Sequence, residues 1–244
     1  MLQGKDDWFV SHRETIGIGA EYEKQALKDH KYYVKVKSLH LLRKTSEFFG
    51  NTEGIIALDL GCGTGETIEY FQDRFYHVIG CDFSEGMLRY ASYKKMKNIT
   101  LKQCDAEALP FKETSIDLIT MFGLIHHVET KDRIKNIFRE AYRVLKTGGM
   151  IAVYDFNPYN PISRYIVKTC PIDVGVNLDG YKRSKFPTTF YPHELMEILR
   201  DSGLTTIKVE YLIFFPKSLS FFLPLERFLS KVPLGGMYSL IGKK

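Results

Sequence analysis

The chain has 244 residues, of which 44% are hydrophobic and 26% are charged, a composition typical of a globular protein that buries a substantial core. Its net charge of +5 comes from interleaved acidic and basic residues, so no basic tail indicates a nucleic-acid partner and none is expected. Residues 1–7 lack the apolar core of a signal peptide, and no stretch reaches the roughly 18 uninterrupted apolar residues of a membrane span. The sequence therefore predicts a cytoplasmic protein.

Helical spacing of apolar residues comes first, followed by a regular alternation of strands and helices. The predicted strands are Ile55–Leu60, His77–Cys81, Ile99–Cys104, Ile116–Met121, Met150–Tyr154, Thr206–Ile213 and Met237–Ile241. The predicted helices are one or two within Ala20–Phe49, then Thr64–Arg74, a helix capped by Ser84, Asp132–Leu145 with a stop at Gly148-Gly149, and Pro192–Ser202 with a C-cap at Gly203. This alternation predicts an α/β fold with a mostly parallel sheet that is covered on both faces.

Two segments rich in proline and aromatic residues interrupt the alternation, at 157–190 and 214–233. Both follow strands whose carboxyl ends face the ligand edge of such a sheet, so we expect them to form a lid over a substrate pocket. The expected organisation is one domain over 1–244, with an N-terminal helical cap at 1–50 and a ligand-binding core at 51–156. The first insertion is expected to contain one short helix.

The four cysteines are not spaced for a metal site. Cys62, Cys81, Cys104 and Cys170 include no CxxC pair, so no metal is predicted. The first three lie in apolar runs near strand ends, and we expect buried free thiols there, as in a reducing compartment.

The strongest functional signal is the glycine turn after the first strand, which contains Gly61, Cys62, Gly63 and Gly65. Glycines at alternate positions let the backbone approach a ligand where a Cβ would clash, and this turn lies at the ligand-binding edge of a doubly wound sheet. Asp59 precedes the turn by two residues. A carboxylate there suits a cationic amino-acid group and would repel a pyrophosphate.

Two further carboxylates follow the next strands. Asp82 ends the second strand, 23 residues after Asp59, where it can accept both hydroxyls of a ribose. Asp105 ends the third strand, and its carboxylate together with the Ala106 N–H suits the edge of an adenine. A dinucleotide is a weaker alternative, because its G-x-G-x-x-G fingerprint is not met and Glu66 stands where the third glycine should be.

Residues 57–154 resemble class I S-adenosylmethionine-dependent methyltransferases, particularly the type 11, UbiE-like group. The resemblance implies a Rossmann-like, doubly wound, seven-stranded sheet of order 3-2-1-4-5-7-6 with an antiparallel last strand. It implies S-adenosyl-L-methionine as cofactor and S-adenosyl-L-homocysteine as product. Segments at 157–161, 170–173, 214–216 and 233–236 resemble methyltransferases associated with bacterial or archaeal surface-polysaccharide assembly.

The same resemblance implies a role for each motif residue. The methionine moiety is assigned to Asp59 and the turn Gly61, Cys62, Gly63 and Gly65, the ribose to Asp82, and the adenine to Asp105 and Ala106. Phe83 and Met87 would line the adenosine pocket, and Phe122 would face the methionine end.

The acceptor side is less defined. A sulfonium donor is already activated, so a base is needed only when the nucleophile must lose a proton. The candidate catalytic residues are His127, ranked ahead of His126, and Asp155 and Tyr154, which end the fifth strand at the same edge. His127 packed under the loop is the structural alternative. DNA and protein amide methylases resemble one another in an Asn/Asp-Pro-Pro-Tyr motif that is not found after strand four, which favours an O- or C-nucleophile.

Three interpretations of the apolar insertions stay open: a satellite core, contact with a small-molecule or lipid-linked substrate, and peripheral membrane contact through 217–231. Two functional alternatives also stay open. The chain could be a non-enzymatic scaffold that binds the methyl donor, or, with less support, a dinucleotide-dependent oxidoreductase.

Overall fold

One seven-stranded sheet forms the centre of the computed structural model, which describes residues 20–169 and 188–244. The strand order is β3-β2-β1-β4-β5-β7-β6. The strands are β1 Ile56–Leu60, β2 His77–Asp82, β3 Ile99–Gln103, β4 Ile116–Phe122, β5 Leu145–Phe156, β6 Thr205–Leu212 and β7 Met237–Lys243. The first five strands pair in parallel, and β7 runs antiparallel to both β5 and β6. The predicted fold class and strand order are confirmed.

The helices alternate with these strands along the chain, as predicted. They are α1 Ala20–Phe49, α2 Ile68–Phe71, α3 Glu85–Tyr93, α4 Lys131–Val144, α5 Pro161–Thr169, α6 Pro192–Asp201 and α7 Glu226–Leu229. Short 3-10 turns occupy Gln72–Arg74, Ile125–His127 and Lys217–Leu225. The N-terminal part is one long helix within the described residues. The insertion after β5 contains the expected helix, α5; residues 170–187 of that insertion, with Cys170, lie outside the described residues.

Two helix bounds differ from prediction, and both differences have a backbone cause. The helix after the glycine turn begins at Ile68, because the glycines before it adopt positive φ and delay the first helical residue. Helix α4 ends at Val144 and the chain passes directly into β5, where Leu145 already pairs with Ile116. The predicted stop at Gly148-Gly149 is therefore wrong.

The predicted N-cap is confirmed, whereas the C-cap of α6 is Ser202 rather than Gly203. The Ser84 hydroxyl accepts a hydrogen bond from the Met87 N–H at 3.3 Å and begins α3. Gly203 follows α6 with a φ of +91°, a conformation that suits glycine.

The sheet is covered on both faces. One face packs against α4 and α6 through residues such as Phe138 and Leu195, both fully buried. The other face packs against α1 and α2 through Leu41 and Phe71, which are also fully buried. This second layer brings the N-terminal helix close to the carboxyl ends of the strands.

A buried polar network fixes α1 to the sheet. Glu210 on β6 accepts hydrogen bonds from His40 Nε2 at 2.8 Å and Lys44 Nζ at 3.0 Å, and it is only 2% exposed. Burial lowers the pKa of His40, and its Nδ1 is hydrogen-bonded to the Tyr154 hydroxyl at 2.9 Å. Burial alone would raise the pKa of Glu210, but hydrogen bonds from His40, Lys208 and Lys44 lower it below its usual range.

Cys81 and Cys104 are joined as a disulfide, with their Cα atoms 5.9 Å apart. The expectation of free thiols is wrong for this pair. Strands β2 and β3 are parallel neighbours. Cys81 lies near the end of β2 and Cys104 directly follows β3, so the two cysteines are close together. Cys62 is free and buried, as expected.

Candidate functional site

The carboxyl ends of the first five strands meet at one edge of the sheet. The glycine turn follows β1, Asp82 ends β2, Asp105 follows β3, and Phe122 ends β4. Asp155 lies one residue before the end of β5. The fold therefore brings the predicted site segments to a common edge.

The three glycines of the turn serve different needs. All have positive φ, of +76° at Gly61, +52° at Gly63 and +71° at Gly65. A Cβ on Gly61 would lie 2.9 Å from Leu124 Cδ1, and one on Gly65 would lie 3.0 Å from Met96 Cε. A Cβ on Gly63 would meet nothing within 4 Å. Positive φ favours glycine at all three positions; a Cβ on Gly61 or Gly65 would also crowd a neighbouring side chain, whereas Gly63 borders open space that a ligand can enter.

Asp82 is held rigidly beside this turn. One carboxylate oxygen accepts the Gly63 N–H at 2.8 Å, and the other accepts the Ser84 N–H at 2.9 Å. The residue is 8% exposed. Because a carboxylate oxygen can accept two hydrogen bonds, each still has capacity for a ligand hydroxyl.

The ends of β2 and β3 present a more open surface. Asp105 is exposed, and one of its oxygens accepts the Glu107 N–H at 2.9 Å. Phe83 is 49% exposed at this edge, and Met87 lies partly buried on α3. The exposed Phe83 ring and the Asp105 carboxylate together suit a flat heterocycle that carries an amino group.

Asp59 lies beneath the turn rather than on its surface. It is 1% exposed, and its two oxygens accept hydrogen bonds from the Thr120 hydroxyl at 2.7 Å and the Thr67 hydroxyl at 3.0 Å. Burial raises its pKa to about 6, and the two hydroxyl hydrogen bonds oppose that rise. Cys62 is also buried, and burial raises the pKa of its thiol. These two residues shape the turn from below.

Asp155 pairs with His126. One carboxylate oxygen contacts His126 Nδ1 at 2.8 Å, and the other accepts the His126 N–H at 3.0 Å. Both residues are buried, whereas His127 is partly exposed and its ring centroid lies 4.0 Å from that of His126. The carboxylate thus contacts the histidine that sequence reasoning ranked second.

An aromatic pair with a cation above it closes the β4–β5 side of the edge. The Phe122 ring stacks on Tyr154 at 4.5 Å between centroids. The Lys37 ammonium, from α1, lies 5.8 Å from the centroid of the Phe122 ring. Sequence reasoning did not single out Lys37.

Comparisons with known proteins show the family of the chain. A family model described as a methyltransferase domain matches residues 58–153. A demethylmenaquinone methyltransferase from Lactobacillus johnsonii is 34% identical over 173 residues, which cover 63% of this chain and 69% of that protein. The chain belongs to the class I S-adenosylmethionine-dependent methyltransferases. Its cofactor is therefore S-adenosylmethionine.

Other comparisons with methyltransferases agree on the fold. A demethylmenaquinone methyltransferase from Thermobifida fusca is 35% identical over 119 residues, or 46% of this chain and 49% of that protein. The solved structure of a SAM-dependent methyltransferase from Archaeoglobus fulgidus has a TM-score of 0.64 at 18% identity, covering 97% of this chain and all of that one. The chain spans only about half the length of several curated relatives that it matches.

The methyltransferase site fits its cofactor in two observed respects. Asp82 offers two fixed oxygens with spare acceptor capacity to a ribose, and Gly63 leaves room for the ligand next to them. Asp105, with the Ala106 N–H that no described residue engages, offers the acceptor and donor that an adenine edge needs.

Proposed function

We propose that this chain transfers a methyl group from S-adenosylmethionine to an O- or C-nucleophile of a small-molecule or lipid-linked acceptor. The observation that carries the proposal is the fixed Asp82 carboxylate next to the open position at Gly63. The names of the demethylmenaquinone methyltransferase relatives support an acceptor of this class. When bound, S-adenosylmethionine supplies an electrophilic methyl group on a positively charged sulfur.

In this proposal, Asp155 positions the turn at 125–127, and His127 accepts the proton that the methyl acceptor loses. Asp155 fixes both the ring and the backbone of His126, and so it holds the turn at 125–127 in place. His127 packs against the fixed His126 ring and is the more accessible of the two, which suits proton transfer from an acceptor.

Replacing the proton acceptor is expected to slow turnover without loss of donor binding. We expect His127→Gln to lower kcat about a hundredfold at neutral pH, the lower end of the range for general base catalysis. Asp155→Asn should lower kcat as well, because the turn is no longer held. The measurement is transfer of labelled methyl groups to reduced demethylmenaquinone, a C-nucleophile, and to catechol, an O-nucleophile.

His77→Gln is the matched control, since His77 begins β2 at the opposite edge of the sheet, where its imidazole is hydrogen-bonded to the Thr100 hydroxyl at 3.0 Å. Its kcat should equal that of the wild type. Unchanged kcat in both His127→Gln and Asp155→Asn would remove these residues from the mechanism. Binding of S-adenosylhomocysteine without label transfer to any acceptor in a broad panel would favour the scaffold alternative, and saturable NADH binding would favour the oxidoreductase.

Peripheral membrane contact is the second part of the proposal. Large apolar side chains are exposed on α5 and on the segment before β7, and we call them the apolar surface: Ile162, Tyr165, Leu219, Phe221, Phe222, Leu225, Phe228, Val232 and Leu234. The Asn160 amide donates to the Leu234 carbonyl, which joins the two parts. Among the described helices, none has the length and apolar character needed to cross a bilayer.

The charges around the apolar surface favour an anionic lipid interface as its partner. Lys217, Arg227 and Lys231 surround it, and the guanidinium of Arg227 lies 4.6 Å from the Phe228 ring centroid. Glu226, the sole acid of residues 217–234, is buried and accepts the N–H groups of Ile213 and Phe214. Apolar residues flanked by bases are typical of interfacial helices, and this surface follows β5 and β6 at the site edge.

We expect the protein to sediment with vesicles that contain phosphatidylglycerol more strongly than with phosphatidylcholine alone. The Phe221→Ser/Phe228→Ser variant should bind these vesicles at least about tenfold more weakly, because each ring is 68% exposed and free to insert. Tyr76→Ser is the control, since Tyr76 is 67% exposed at the opposite edge, just before β2. Equal vesicle binding by the wild type and the double variant would contradict lipid contact.

A further inference from the structure

Helix α1 lies beside the glycine turn, and its Lys37 side chain reaches the end of β4. The imidazole of His30 is hydrogen-bonded to the carboxylate of Glu66, the residue after Gly65. Lys37 follows His30 by seven residues, which is two helical turns, so the two side chains share one face of α1. From that face the Lys37 ammonium reaches to 5.8 Å from the Phe122 ring centroid, where β4 ends.

Three carboxylates surround Lys37, but each is already engaged elsewhere. Burial lowers the pKa of Lys37, while the charges of Glu66, Asp155 and Asp59 oppose that shift. These carboxylates accept hydrogen bonds from other groups: His30 for Glu66, His126 for Asp155, and Thr67 and Thr120 for Asp59. Among the residues whose side chains the structure describes, none accepts a hydrogen bond from the Lys37 ammonium.

Partial burial makes the charged form of Lys37 less favourable, and no described group offsets this by accepting a hydrogen bond from its ammonium. The face of the Phe122 ring offsets part of that cost, but an aromatic face is a weak substitute for an oxygen that accepts a charged hydrogen bond. Its position above the Phe122 ring puts the ammonium at the ligand edge, and the partial exposure of Lys37 leaves it accessible to a ligand. A ligand oxyanion would supply the missing partner.

We propose that the Lys37 ammonium binds a ligand oxyanion, a carboxylate above all, between the glycine turn and the Phe122 ring. Two ligands of the site carry such chemistry. One is the methyl donor, through the carboxylate of its amino-acid end; the other is an acidic acceptor, in which case the inference rests on the proposed function. Both would be oriented by the same charge.

Calorimetry with matched ligands separates the two sources. S-adenosylhomocysteine carries the carboxylate, whereas 5′-methylthioadenosine has the same adenosine and sulfur without the amino-acid end. Benzoate, titrated into the S-adenosylhomocysteine complex, is the probe for an acidic acceptor. Each ligand is titrated into the wild type, Lys37→Met and the control Lys35→Met, since Lys35 is exposed on the same helix.

If the oxyanion is that of the donor, Lys37→Met weakens S-adenosylhomocysteine binding at least about tenfold and leaves 5′-methylthioadenosine within twofold. If it belongs to the acceptor, S-adenosylhomocysteine is unaffected and benzoate binding is lost. The inference is overturned if Lys37→Met changes the binding of neither S-adenosylhomocysteine nor benzoate. It is also overturned if the variant weakens the binding of both nucleosides equally, which indicates a distorted site. Lys37→Gln replaces Lys37→Met if the latter does not fold, and failure of the wild type to bind 5′-methylthioadenosine would instead count against the cofactor site itself.

Discussion

Replacing Asp82 with alanine is expected to weaken S-adenosylhomocysteine binding by about 30- to 100-fold, or roughly 2–3 kcal/mol. Two losses combine in this variant. The ribose hydroxyls lose charged acceptors, and the Gly63 and Ser84 N–H groups lose the carboxylate that fixes the turn. Calorimetry at constant pH measures the effect.

Glu85→Gln is the control for the change in charge. Glu85 lies three residues further on, is exposed, and begins α3 next to the Ser84 cap. Its variant should bind S-adenosylhomocysteine within about twofold of the wild type. If Asp82→Ala bound as tightly as Glu85→Gln, the carboxylate at the end of β2 would have no part in holding the nucleoside.

Replacing Glu210 with alanine is expected to lower the free energy of unfolding by about 3–5 kcal/mol. Glu210 is buried between His40 on α1, Lys44 on α1 and Lys208 on its own strand. Its removal leaves the Lys44 ammonium, which is only 5% exposed, without its buried counter-charge. Thermal unfolding should therefore shift downward by roughly 10 °C.

Glu47→Ala removes the other carboxylate that contacts Lys44, at 2.9 Å, but Glu47 is half-exposed. Solvent screens that pair, so its loss should cost less than about 1 kcal/mol. Equal shifts in the two variants would mean that the buried network does not fix α1 to the sheet.

The features that sequence predicted well are encoded locally. A short apolar run that forms a strand, a glycine turn and a helix follow one another within a few residues. The strand order then follows from the resemblance of residues 57–154. This is why the sequence alone places the segments containing Asp59, Asp82 and Asp105 at one sheet edge.

The features that sequence missed depend on partners far away in the chain. Lys37, His40 and Lys44 lie on an inward face of α1, although charged residues on a helix ordinarily face solvent. His40 is buried because it pairs with Glu210. That partner lies 170 residues later in the sequence, so the helical spacing of α1 cannot predict it. Similarly, whether His126 or His127 meets Asp155 is decided by the 3-10 turn after β4.

The most direct measurement is a crystal structure of the protein grown with S-adenosylhomocysteine. We expect density for the nucleoside across the ends of the first three strands, with both sugar hydroxyls on the oxygens of Asp82 and the base at Asp105. Density for the nucleoside at another edge of the sheet, or an Asp82 side chain turned away from the sugar, would contradict the account.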